Sequence, residues 1–167
     1  MSLLYTKGEA EAAHKAWKSS CGHFSYAAAS GKTLGDVKCS GVALKGWMNP
    51  TMITTCLDGM GVKFERRLIP YDPAIHPFAH MVFEKAPVLP RIFRVQFEGP
   101  WMKGPVTGRY KHTHYIASLE KGVMEPIYEP SEILDHAEWL YSAPEWYTKC
   151  IKNCTGYHFT HAWTITP

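Results

Sequence analysis

The stretch CGHFSYAAASGKTLGDV, residues 21–37, decides the fold of this chain. It begins with Cys21, continues through small and aromatic residues, breaks at Ser30-Gly31 and resumes a helical pattern at Leu34. A cysteine in the first turn of a helix lies beside unpaired backbone N–H groups and the positive end of the helix dipole, which favours the thiolate. We therefore expect Cys21 to be a nucleophile, to which the rest of the chain brings a histidine.

Helical patterns continue on both sides of this stretch. The last three of these patterns have a capping residue before them and a glycine at or after their end, as helix ends usually do. The predicted helices are residues 8–17, Cys21–Ser30 after a capping Ser20 and before Gly31, Leu34–Cys39 between Thr33 and Gly41, and a helix from Asn49-Pro50 to Gly59.

Strand patterns dominate the rest of the chain, where β-branched and aromatic residues alternate with polar ones. The predicted strands are 62–69, 91–98, 110–119, 123–128 and 156–167. Residues 70–90 predict an irregular connection with a short helix at Ala79–Glu84, and residues 130–148 predict one helix or two short ones around Ala143-Pro144. Helices followed by antiparallel strands indicate a single α+β domain over residues 1–167.

Composition narrows the class of protein. The 46% hydrophobic content is typical of a folded globular protein. A net charge of only +3 gives no reason to expect a nucleic-acid partner. The N-terminus has no apolar signal region and no stretch reaches the length of a membrane span, so we expect a cytoplasmic protein with no membrane partner. Five cysteines, an odd number, indicate reduced thiols in that compartment.

The partner that we expect for Cys21 is His114. A thiol nucleophile needs an imidazole to take its proton, and the two often come from distant segments. In YKHTHYIASL, residues 110–119, alternation places His112 and His114 on one face of a strand, so that one can act as the base and the other can line a cleft.

Three segments resemble papain-like cysteine peptidases, closest to the small double-glycine peptidases and their phage and bacterial relatives. They are residues 21–37, GWMNPTMITTCLDGMGVKFERR at 46–67 and HTHYIASLEKGVMEPIYEP at 112–130. The resemblance implies a papain-like fold, with N-terminal helices carrying the nucleophile packed on a small antiparallel sheet.

Residue by residue, the resemblance makes Cys21 the nucleophile and His114 the base. The residue that orients the histidine would be Glu129, before Pro130, with Glu125 as the competing choice. The family's oxyanion glutamine would lie about six residues before the cysteine, where this chain has Lys15. Lys15, His14 or Ser20 would then supply the donor, or the oxyanion hole is incomplete.

Two further motifs bear on function. Cys150, Cys154, His158 and His161 are the one set of residues that could bind zinc, although their spacing fits no standard motif. The Gly31-Lys32-Thr33 run is not a phosphate loop, because Tyr26 stands where such a loop needs glycine.

The sequence therefore predicts a cysteine-dependent hydrolase, a peptidase, isopeptidase or deamidase that acts on a protein or peptide amide and needs no cofactor or metal. Trp101, in a Gly/Pro loop before the histidine strand, and His112 would wall the substrate cleft, with Lys15 beside the substrate. The alternative is a catalytically silent binding protein on the same scaffold, for instance phage-encoded and acting on a host protein in the host cytoplasm.

Overall fold

Four helices form the first part of the fold. The computed structural model describes residues 2–18, 20–40, 48–70 and 89–167. The helices are α1 (Lys7–Trp17), α2 (Cys21–Ser30), α3 (Leu34–Cys39) and α4 (Pro50–Gly59). All four were predicted from the sequence, and their bounds agree with the predicted ones to within a residue.

Local capping explains where most of these helices begin and end. Thr6 and Thr33 each form a capping box, with Glu9 and Asp36 respectively, and the Asn49 side chain accepts from the Met52 N–H. Gly31 ends α2 in the left-handed conformation, at φ 63°.

In the part of the chain that the structure describes, six antiparallel strands form one sheet. They are β1 (Phe64–Leu68), β2 (Arg91–Glu98), β3 (Thr113–Leu119), β4 (Gly122–Glu125), β5 (Glu129–Leu134) and β6 (Gly156–Ile165), in the spatial order β1-β6-β2-β3-β4-β5. Between β2 and β3 lie a 3₁₀ turn (Pro100–Lys103) and the short helix α5 (Val106–Arg109), and α6 (His136–Cys150) precedes β6. The α+β class is confirmed.

The sheet has apolar layers on both faces, because successive residues of a strand point to opposite sides. Tyr115, Ala117 and Met124 pack with the helices α1–α4, and we call this side the helical face. Ile116 and Val123, with Phe93, pack with α6, and we call this side the α6 face.

The region from 129 to 150 corrects the sequence prediction. Residues Glu129–Leu134 are a strand paired with β4, not part of a helix. The helix that follows is continuous through Pro144 and begins at an Asp135 cap, which accepts from the N–H groups of Ala137 and Glu138. The predicted strands at 110 and 123–128 are also shorter, starting at Thr113 and ending at Glu125.

Two predictions fall outside the described residues: the short helix at Ala79–Glu84 and the end of α3 at Gly41. No helix in the described part of the chain is both long enough and apolar enough to cross a bilayer.

The β3–β4 hairpin depends on a glycine at Gly122, which has φ of 149° and lies against β5. A Cβ at this position would be 1.9 Å from the Leu134 carbonyl oxygen. We expect Gly122→Ala to destabilise the protein by at least about 2 kcal/mol, because both the backbone conformation and the β5 contact must change. Urea denaturation measures this free energy of unfolding.

Gly59→Ala is the matched control, because nothing lies within 4 Å of a Cβ at that helix end. It should leave stability unchanged or raise it by up to about 1 kcal/mol. Equal denaturation midpoints for the two variants would show that Gly122 is not constrained as described.

Candidate active site

Cys21 is the first residue of α2, and its side chain is only partly exposed. Ser20 occupies the cap position, but its hydroxyl makes no capping hydrogen bond, contrary to the sequence prediction. It lies instead 3.0 Å from Nδ1 of His14. The first N–H groups of α2 therefore have no side-chain cap, and their partial positive charge favours a negative charge at Cys21.

The residue after the cysteine must be small for α2 to sit where it does. A Cβ on Gly22 would be 2.9 Å from Cβ of Met48, which is buried. Contacts closer than 3.0 Å force a shift of one partner, so Gly22 permits the close approach that positions Cys21.

His114 is the second residue of β3, and Glu125 ends β4. Both side chains are buried on the α6 face, where Nε2 of His114 donates to Oε1 of Glu125. Since Glu125 occupies Nε2, the nitrogen left to serve Cys21 is Nδ1.

The carboxylate of Glu125 is fully buried and fully paired. Oε1 also accepts from the Ile127 N–H at 3.1 Å, while Oε2 accepts from Trp139 Nε1 at 3.0 Å and from the Tyr147 hydroxyl at 2.6 Å. Burial alone would raise the pKa of Glu125, but the charge of His114 and these hydrogen bonds lower it below its usual value. Glu125 is therefore a fixed negative charge behind the histidine.

The charges of Cys21 and His114 depend on each other. Burial opposes ionisation of the thiol, but a hydrogen bond and the positive charge from His114 lower the pKa of Cys21, helped by the backbone N–H groups of Tyr115 and Gly22. Burial opposes protonation of the imidazole, but Glu125 and Cys21 raise the pKa of His114 to about 10. Both shifts favour the thiolate of Cys21 beside the imidazolium of His114.

The assignment of Glu129 as the orienting carboxylate is corrected to Glu125. Glu129 lies across the β4–β5 turn from Glu125 and forms an ion pair with Lys7 Nζ at 2.9 Å. It also accepts from the Ser131 hydroxyl at 2.7 Å. Its side chain therefore ties β5 to α1 and does not contact the histidine.

Trp101 and His112 lie together, stacked at 3.8 Å between ring centroids with an interplanar angle of 11°. Trp101 Nε1 donates to the Phe97 carbonyl at 2.7 Å, and the Gln96 amide donates to the His112 carbonyl at 3.0 Å. His112 precedes β3 instead of lying within it, as the alternation had suggested. The two rings therefore form a stacked pair next to β3, and His112 is two residues before His114 in the chain.

Lys15 does not join the other predicted site residues, because its side chain is exposed on α1. His14 is exposed as well, but its Nδ1 lies 3.0 Å from the hydroxyl of Ser20, the buried residue that precedes Cys21. Of the alternatives open from the sequence, Ser20 is next to Cys21 in the chain and His14 contacts Ser20.

The residues of the zinc alternative do not converge. Cys154 donates to the Gly156 carbonyl, His158 Nδ1 lies 2.8 Å from Glu98, and His161 Nδ1 lies 3.0 Å from the Thr160 hydroxyl. Cys150 is exposed at the end of α6. Over the described ranges, no three His, Cys, Asp or Glu side chains are grouped so as to hold a metal ion.

Two residues that the sequence did not single out complete the site: Trp139 and Tyr147. With Ala143 they form the buried stripe of α6, spaced four residues apart, and this spacing also occurs in any helix that packs on a core. The N–H of a buried tryptophan and the O–H of a buried tyrosine each need a hydrogen-bond acceptor. This need was the one feature of the sequence that could have indicated a polar partner for Trp139 and Tyr147.

Comparisons with protein-family models, with curated proteins and with solved structures found no match for this chain. The chemistry of the site therefore follows from its own geometry.

Matched substitutions can distinguish the role of the Glu125 carboxylate from that of the Glu129 carboxylate. Glu125→Gln presents an amide to donors on both sides of the pocket and removes the charge that holds His114 protonated. We expect alkylation of Cys21 by iodoacetamide at about pH 6 to fall at least tenfold. The labelled cysteine is identified by mass spectrometry.

Glu129→Gln is the control, since it removes only a surface ion pair with an exposed lysine. That loss should cost about 0–1 kcal/mol of stability and leave alkylation of Cys21 nearly unchanged. The reverse pattern, with Glu129→Gln the slower of the two variants, would restore the original assignment.

Proposed function

We propose that this protein is a cysteine-dependent hydrolase with a papain-like arrangement of Cys21, His114 and Glu125. The observation that carries the proposal is the buried imidazole of His114, which hydrogen-bonds Glu125 on one side and acts on the Cys21 thiolate on the other. The order of nucleophile helix, histidine strand and carboxylate hairpin supports the papain-like assignment. The substrate is a protein or peptide amide.

The reaction follows from the charge states. The thiolate of Cys21 attacks the carbonyl carbon, and the electron pair of the C=O bond moves to oxygen to give a tetrahedral oxyanion. The oxyanion collapses, the C–N bond breaks, and the imidazolium of His114 gives its proton to the leaving amine. Water then attacks the thioester, neutral His114 takes its proton, and the acid leaves as the thiolate is restored.

Glu125 holds the ring of His114 in place and stabilises its charged form throughout this cycle. A carboxylate in this role does not itself exchange a proton with the histidine. The donors from Trp139 and Tyr147 keep it ionised although it is buried. The role therefore needs all three residues, with Glu125 in contact with His114 and the two aromatic side chains behind it.

The oxyanion is stabilised at the start of α2, where backbone N–H groups point towards the reacting carbonyl. His14 and Ser20, held together at 3.0 Å beside Cys21, are the side-chain donors closest in the chain. In this proposal they supply the donor that glutamine supplies in the family. Trp101 and His112 form the wall of the substrate cleft near His114.

A silent binding protein on the same scaffold is the second candidate. The observation that favours it is the exposed side chain of Lys15 where the resemblance implies an oxyanion donor. Loss of one such donor costs about 2.7–4 kcal/mol of transition-state stabilisation, enough to leave a reactive thiolate without useful turnover. A reactive cysteine alone therefore does not separate the two functions.

The reactivity of Cys21 tests the dyad. The pKa of Cys21 is lowered and that of His114 is raised to about 10, so both shifts favour the ion pair. We expect iodoacetamide to label Cys21 selectively, at a rate that rises less steeply between about pH 6 and 8 than that of an ordinary thiol, which gains close to tenfold per pH unit there. Mass spectrometry of the alkylated protein gives the rate for each cysteine.

His114→Gln is the matched variant, because its amide can still donate to Glu125 while the base is removed. Its Cys21 rate at about pH 6 should fall at least tenfold and should recover as pH rises past the thiol pKa. Equal labelling of Cys21 and the exposed Cys150 in the unmodified protein would contradict the dyad.

Turnover separates the hydrolase from the silent protein. The protein and its Cys21→Ala variant are each incubated with a proteome-derived peptide mixture, and cleaved or deamidated products are read by mass spectrometry. New products that require Cys21 support the hydrolase. Selective alkylation without any Cys21-dependent product would favour the binding protein.

A further inference from the structure

Arg94 is a buried cation on β2, with only 4% of its surface exposed. Its Nη1 donates to the Thr160 hydroxyl at 2.9 Å, and its guanidinium carbon lies 5.5 Å from the centre of the Tyr110 ring. Register places Arg94 opposite Tyr115 on one side and opposite His161 on the other. All three side chains therefore lie on the helical face.

No carboxylate of the described residues pairs with Arg94. Its other neighbours on this face are the ring of His161 and the guanidinium of Arg66, which lies 5.8 Å from the Trp163 ring centre. Burial, together with Arg94 and Arg66, lowers the pKa of His161 to about 4, so that ring is neutral near neutral pH. Arg94 therefore keeps a positive charge with no carboxylate beside it among the described residues, and such a charge can hold an anion.

Tyr115 supplies a second, independent observation. Its side chain is 1% exposed, and its hydroxyl is buried without a hydrogen-bond partner of acceptable geometry, although Arg94 lies beside it. Buried hydroxyls are almost always paired, so an unpaired one beside a cation indicates the position of a missing acceptor. The Tyr110 ring, over which the Arg94 guanidinium lies, is 44% exposed and links the cluster to the surface.

The cluster is adjacent to the proposed nucleophile. The backbone N–H of Tyr115 hydrogen-bonds Cys21, and the charge of Cys21 acts on the Tyr115 phenol. Arg94 is the cross-strand partner of Tyr115, about 5 Å away between Cα atoms. Arg94 and Cys21 therefore both neighbour Tyr115, Arg94 as its cross-strand partner and Cys21 through the Tyr115 backbone N–H.

We propose that Arg94 and the Tyr115 hydroxyl form a carboxylate subsite beside Cys21, so that the substrate is an amide that carries a carboxylate next to the bond attacked. This inference rests on the proposed function. One carboxylate oxygen accepts from the Arg94 guanidinium and the other from the Tyr115 hydroxyl. An acidic residue or a chain-terminal carboxylate beside the amide has this chemistry, and a neutral residue lacks it.

Two alkylating reagents of nearly equal size test the subsite. Iodoacetate carries a carboxylate and iodoacetamide does not, yet both transfer their carbon to the same thiolate and release iodide. We expect Arg94→Met to lower the ratio of the iodoacetate rate to the iodoacetamide rate at Cys21 about tenfold, the effect of one charge-assisted hydrogen bond. The iodoacetamide rate should stay within about twofold, because Cys21 and His114 are unchanged.

Arg67→Met is the matched control. It removes the same charge from the same sheet, but Arg67 pairs with Ala162 and points to the opposite face. The ratio should then change less than about twofold, the scale of a screened surface charge. An equal fall in both variants would mean that only long-range charge matters, and would overturn the subsite.

Binding to the Cys21→Ser protein tests the subsite without the reaction. Succinate, compared with sodium chloride at equal ionic strength, should raise the melting temperature of this protein and should not do so after Arg94→Met or Arg94→Lys. If succinate binds this way while alkylation is indiscriminate, the proposed function fails and the carboxylate site stands. If alkylation is selective but neither the ratio nor succinate depends on Arg94, the hydrolase stands and the subsite is overturned.

Discussion

The buried ion pair of His114 and Glu125 is the interaction on which the rest of the site depends. Taking an ionised carboxylate out of water costs several kcal/mol, and the cost is offset only when its oxygens are fully paired. Glu125 meets this condition with donors from His114, the Ile127 backbone, Trp139 and Tyr147. Two of these donors, Trp139 and Tyr147, belong to α6. The helix therefore stabilises the negative charge of Glu125 in addition to packing on the apolar core.

Two consecutive residues of strand β3 contact Cys21, one through its side chain and the other through its backbone N–H. The side chain of His114 lies on the α6 face, while the next residue, Tyr115, packs on the helical face and turns its N–H to Cys21. The dipole of α2 and the imidazolium both favour the thiolate, against burial that favours the thiol. The reactive state is therefore a property of the packed domain, since α2 alone provides only the weaker of the two effects.

Local chemistry explains which parts of this arrangement could be predicted from the sequence. Thr33, Asn49 and Gly31 act within a turn of their own helices, and Cys21 and His114 were recognised as a pair by residue type and order. The choice between Glu125 and Glu129 could not be made, because it depends on where β4 ends and on which side α1 places Lys7. The hydrogen bonds from Trp139 and Tyr147 depend on docking of α6, which no local pattern encodes.

The same argument about buried charge distinguishes Arg94 from His114. His114 has a carboxylate that offsets its burial, whereas Arg94 has a hydroxyl from Thr160 and the ring of Tyr110. A cation–π contact contributes about 0.5–2 kcal/mol and a hydrogen bond from a charged donor about 1.5–3, which is comparable with the several kcal/mol that burying an ion costs. These contacts hold Arg94 in place but leave its charge without a carboxylate, and the Tyr115 hydroxyl lies beside it where a ligand oxygen would add a further contact. On the α6 face the charge of His114 is therefore balanced by Glu125, whereas on the helical face the charge of Arg94 has no carboxylate partner among the described residues.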